Sequence, residues 1–161
     1  MMRSMQRLVF VFGLALLFST VAAAQGMKYD VMLTGSAQVP AVDTKASGEA
    51  TFQLSDDGMS LSYKISVVDL ENATMGHIHL AMAGANGPVA TWLYPSAPPP
   101  VTKAGKFTGV LAEGTLTAAS LTGPLAGKTI ADLMTEIKNG NAYVNIHTEK
   151  NPNGELRAQI K

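Results

Sequence analysis

The chain has 161 residues, twelve Lys and Arg against twelve Asp and Glu, three histidines and no cysteine. That length suits one domain with a sizeable core. The missing cysteine excludes a thiol nucleophile, a zinc–thiolate site, an iron–sulfur cluster, a blue-copper centre and a lipid-anchored cysteine, and it leaves stability to packing and backbone pairing.

The chain opens with Arg3 and Arg7 around a short polar start, continues through an uncharged apolar run from Leu8 to Val21, and reaches Ala22-Ala23-Ala24-Gln25. This is the layout of a secretory signal peptide, so residues 1–24 are expected to be removed by cleavage after Ala24. The apolar run is 14 residues long, short of the roughly 17 to 25 that a spanning helix needs. A secreted or periplasmic protein with no stable membrane span after cleavage is the expectation. Arg3 and Arg7 leave with the signal, so the remaining 137 residues carry ten basic and twelve acidic side chains. No Lys/Arg cluster is present, which argues against a nucleic-acid partner.

Along the remainder, short alternating stretches predict strands with one buried face. Strands are expected at Tyr29–Leu33, Ala50–Leu54, Leu61–Val67, Thr74–Ala81, Val89–Tyr94, Lys106–Leu111, Gly114–Ala118, Asn141–His147 and Glu155–Ile160. Ser55-Asp56-Asp57-Gly58 turns the second into the third, and Asn151-Pro152-Asn153-Gly154 turns the eighth into the ninth. Between strands, Ile130, Leu133, Met134 and Ile137 recur at helical spacing after Thr129, a candidate N-cap, and before Gly140. Nine strands and one short helix without a βαβ rhythm predict a mainly β protein. An antiparallel sandwich or barrel-like fold, of immunoglobulin or superoxide-dismutase-like architecture, is expected.

The histidines concentrate the chemistry. His77 and His79 stand at i and i+2 and share one strand face, while His147 shares its face with Tyr143 and Asn145. Pairing of segment 74–81 with segment 141–148 would converge the three imidazoles on one ion, a histidine-only site suited to copper, zinc, iron or nickel. Met75, Met82, Tyr143 and Glu149 stand close enough in sequence to offer extra contacts. The alternative is that these histidines decorate a half-exposed sheet or bond to loops. Glu155 and Arg157 are expected on one face of the last strand, paired with neighbours or fixing the loop beside His147, and Trp92 with Tyr94 is expected in the core.

Gly76-His77-Ile78-His79-Leu80, Gly84-Ala85-Asn86-Gly87-Pro88-Val89, Asn139 to Thr148 and Asn151 to Ile160 resemble, in order, the motifs of the CHRD domain, named from chordin. The resemblance covers residues 28–161, the expected domain, and its motif residues match at His77, His79, His147, Glu155 and Arg157, with Ala158 where a glycine is common. It implies a binding module, and in chordin such domains belong to an extracellular antagonist of bone morphogenetic proteins. Two functions follow: an exported module holding a copper or other transition-metal ion through His77, His79 and His147, or a non-metal module for an extracellular protein partner or adhesion. Gly76 to His79 also resembles the copper strand of copper–zinc superoxide dismutases. Those enzymes need more histidines than this chain has, so dismutase activity, and enzymatic turnover generally, is not expected.

Overall fold

Alternation builds the first hairpin. In the computed structural model, which describes residues 26–161, strand β2 (Ser47–Leu54) runs antiparallel to β3 (Leu61–Leu80), with Phe52 opposite Tyr63 and Ala50 opposite Ile65. Asp57 closes the turn between them, its carboxylate accepting from the Ser55 hydroxyl at 2.6 Å and the Met59 N–H at 2.9 Å. Phe52, Leu61 and Ile65 are fully buried, and these inward faces seed the core. The expected signal peptide, residues 1–24, lies outside the described residues.

The remaining strands close this hairpin into a ring. Strand β1 (Lys28–Thr34) pairs with β2 and, through Thr34 and Arg157, with β7 (Leu156–Gln159); β7 pairs with β6 (Ala142–Thr148), and β6 returns to β3. All of these pairings are antiparallel, and the ring β1–β2–β3–β6–β7 is barrel-like. Strands β4 (Val89–Tyr94) and β5 (Lys103–Leu116) attach to β3 from outside the ring. The mainly β, antiparallel expectation holds in its barrel-like form.

Two pairs of expected strands merge. Segments 61–67 and 74–81 are one 20-residue strand, β3, whose first half serves β2 and whose second half serves β6. Between the halves, Asp69 and Asn72 take left-handed backbone angles, φ 57° and 48°, a conformation that short polar side chains tolerate. Local bonds support the bend: the Asp69 N–H donates to Thr108 Oγ1, and Asn72 Oδ1 accepts from the Gly105 N–H. These irregularities break the alternation without ending the strand. Likewise 106–111 and the start of 114–118 fuse into β5, because Ala112 and Glu113 pair with Ile65 and Lys64 instead of turning; the strand ends at Leu116, and a 3-10 turn begins at Ala118.

The helix forms as its pattern predicts. Helix α1 (Ile130–Lys138) buries Ile130, Leu133, Met134 and Ile137 against the core, and Thr129 and Asp132 cap its start reciprocally. Gly140, at φ 70°, takes the left-handed turn beyond its end. Among the described residues no helix is long and apolar enough to cross a membrane.

Truncating Leu133 to alanine should cost about 2–5 kcal/mol in denaturant unfolding, because the side chain is fully buried. Thr129→Ala should cost about 1 kcal/mol by removing the cap alone.

Candidate metal centre

Strand register decides what the histidines meet. Antiparallel pairing of β3 with β6 sets His77 opposite Asn145, His79 opposite Tyr143 and Met75 opposite His147. On this face His147 is therefore diagonal to His77, within reach of a ring side chain. Ile78, Val144 and Ile146 project to the other face and are fully buried in the core.

The three rings converge. His77 Nδ1 lies 3.2 Å from His147 Nε2, and one ligand nitrogen from each histidine lies within 4.8 Å of the others. No cysteine, aspartate or glutamate joins the group among the described residues. Ring centroids are 5.4 Å apart for His77 and His79, 5.1 Å for His77 and His147, and 5.9 Å for His79 and His147. The Trp92 ring, opposite His77 across the β3–β4 pairing, stands at right angles to the His77 ring at 4.3 Å.

Backbone carbonyls orient two of the rings. His79 Nδ1–H donates to Gly87 O and His147 Nδ1–H to Pro152 O, each at 2.9 Å. In a neutral imidazole this leaves the Nε2 lone pair unprotonated and free to bind. The carbonyls come from the Gly84–Pro88 and Asn151–Gly154 loops, so these two segments supply the backbone acceptors that metal-binding histidines use. Gly87 and Gly154 are required by space. A Cβ on Gly87 would stand 1.8 Å from Leu80 O, and one on Gly154 would stand 2.3 Å from Asn145 Oδ1 at a φ of 121°.

The sites are buried, contrary to a half-exposed sheet. His77, His79 and His147 are 3%, 9% and 6% exposed, because both faces of β6 are covered. Among them the Nε2 atoms of His77 and His79 have no hydrogen-bond partner. Burial, with smaller contributions from His147 and His79, pulls the His77 pKa down to about 3. Burial also lowers those of His79 and His147, against the opposing bonds to Gly87 and Pro152. The cluster is therefore neutral at physiological pH.

Of the sequence-expected neighbours, Met75 stands opposite His147 on the histidine face and Tyr143 stacks against the cluster, whereas Met82 and Glu149 are exposed. The Tyr143 ring stacks on His79 at 5.0 Å and 12°, and its oxygen accepts from the Gly87 N–H. Met82 is 66% exposed, and Glu149 accepts from Thr102. Arg157 is not a surface partner of Glu155. It is buried, its guanidinium lies 3.5 Å over the Tyr143 ring, and it donates to Asn86 Oδ1 and Ala85 O. Glu155 fixes the 151–154 loop instead, accepting from Thr148, Thr44 and Asn151. Burial would raise the Glu155 pKa, but these three donors hold it below its usual value. Trp92, expected in the core, is a half-buried wall of the histidine cluster.

Compared with known proteins, the chain matches the family model of the CHRD domain over residues 29–160. No curated protein and no solved structure matches it.

The lowered histidine pKa values give a signed pH dependence. An unfolded histidine takes up its proton near pH 6.5, while the folded one resists until lower pH, so stability is full above that value and falls as the solution is acidified. The loss approaches about 1.4 kcal/mol per pH unit for each histidine, and for His77 the window extends down to about pH 3. Denaturant midpoints of the metal-free protein should therefore drop between pH 7 and 5, with a shallower drop in His77→Gln.

Proposed function

The chain belongs to the CHRD domain family, and we propose that it is an exported module that binds one transition-metal ion, copper foremost, through His77, His79 and His147. The carrying observation is the inward convergence of three neutral imidazoles, two of them oriented by backbone carbonyls. Metal–nitrogen bonds of 2.0–2.1 Å in a tetrahedral site put neighbouring donors about 3.3 Å apart. The 3.2 Å separation of His77 Nδ1 and His147 Nε2 matches that edge.

The same 3.2 Å contact also satisfies a hydrogen bond, which is the observation favouring the second reading, a protein-interaction module with structural histidines. That reading leaves His79 Nε2 buried without a partner, a cost of about 1–3 kcal/mol, whereas His77 Nε2 is unpartnered in both readings because the 3.2 Å edge uses His77 Nδ1. An ion gives His79 Nε2 a partner directly. Imidazole donors without thiolate or carboxylate suit copper and zinc better than magnesium or calcium. Binding, not turnover, is the proposed role, since the donor group contains no acid or base beyond the ligands. Export rests on the residue 1–24 pattern alone.

Purified protein should bind about one copper ion, and His79→Ala should abolish stoichiometric binding. At ligand concentrations near 100 times Kd, copper should stabilise the fold by about 2.7 kcal/mol, read as a rise in Tm. Stoichiometric binding that persists in the triple alanine variant would leave the histidines structural. N-terminal sequencing of the exported protein should begin at Gln25.

A further inference from the structure

The three histidines supply three donors, and a cavity adjoins two of these residues. This cavity, of about 340 Å³, borders His79 and His147 beneath walls that include Pro40, Pro152 and Asn153. His77 is not among the residues that line it and packs against Trp92. Three protein donors leave a fourth position on a four-coordinate ion, and the cavity is lined by two of the three ligand residues, although the His79 Nε2 atom itself lies buried beneath its surface.

Charge selects what enters. The buried Arg157 guanidinium has no carboxylate within salt-bridge distance among the described residues, where the ion pairs are Lys28–Asp30 and Lys106–Asp69. Strand β6 lies between β3 and β7, so Tyr143 spaces this cation from His79, with the guanidinium 3.5 Å from its ring and the imidazole 5.0 Å from it. A divalent ion on three neutral ligands would add a second uncompensated charge to the same low-dielectric region, and buried charge of this kind calls for a counter-charge.

The polar groups of the wall are largely spent. Asn145 accepts from Gln38 Nε2 and donates to Asn153 O, Asn86 donates to Val39 O and accepts from Arg157, and both ring Nδ1–H groups are taken. What remains is a donor: the Tyr143 hydroxyl accepts from the Gly87 N–H, and its own proton has no acceptor among the described residues. An organic ligand would find few partners here. A small acceptor bound through the ion would find a positive field and one phenol proton.

We propose that the divalent ion held by His77, His79 and His147 keeps its fourth position open to this cavity and binds a small monovalent anion there. This rests on the metal reading above. The probe is azide, titrated into the copper(II)-loaded protein and followed by its ligand-to-metal charge-transfer absorption and by electron paramagnetic resonance. One azide should bind per copper. Asn153→Trp, at an exposed loop position on the cavity rim, should weaken azide about tenfold by filling the entrance while copper stoichiometry stays at one. Arg157→Met, if circular dichroism shows it folded, should weaken azide about tenfold through the lost positive field. A protein that takes up no copper overturns the metal reading and this inference together. Copper binding without any spectral response to azide overturns this inference alone, as does azide binding undiminished in Asn153→Trp.

Discussion

Pairing of β3 with β6 places His77 opposite Asn145 and His79 opposite Tyr143, and everything at the candidate centre depends on that register. A slip of one residue would turn Val144 and Ile146 toward the histidines and bring Tyr143, Asn145 and His147 into the apolar core. The slip is opposed from both sides of the sheet. Ile78, Val144 and Ile146 are fully buried on the core face, while on the other face Gln38 bonds to Asn145 and the Gly87 N–H to Tyr143. Ordinary core packing thus fixes the geometry of a polar cluster.

Covering that second face creates the chemistry. Strand β6 is buried at every position, although its sequence alternates as if one side met water. The covering material is loop: the Gly84–Pro88 turn supplies the carbonyl for His79, the Asn151–Gly154 turn supplies that for His147, and Asn86 reaches across to Val39 O. Loops placed over imidazoles remove water, and the lost hydration is what lowers the histidine pKa values. The same act that makes protonation costly keeps the nitrogen lone pairs available to an ion.

The sequence showed the strand faces, both turns and the helix, because each follows from local alternation or turn chemistry, while the pairing of segments 74–81 and 141–148 entered only as a condition that the structure meets. It hid the continuity of β3, since Asp69 and Asn72 disturb the alternation as a loop would while pairing with β5 continues around them. It also hid burial. Periodicity reports which residues share a face but not what lies above it, so the cover over His77, His79 and His147 was invisible, as were the Gly87 and Pro152 carbonyls. Backbone acceptors carry no residue-type signal; the close-approach glycines at 87 and 154 were the nearest trace of them.

Arg157 shows how such hidden contacts change a functional reading. Read along β7, it is a cation two residues from Glu155, and a surface pair between them would be worth only about 0–1 kcal/mol. In the fold, Glu155 is consumed by Thr44, Thr148 and Asn151, and Arg157 is left on the aromatic face of Tyr143. Stacking and two neutral acceptors solvate the guanidinium without cancelling its charge. That positive charge acts across the Tyr143 ring on His79, where it lowers the pKa behind the larger effects of burial and of His147, so burial governs the electrostatics of the centre and the guanidinium adds to it from beyond the ligands.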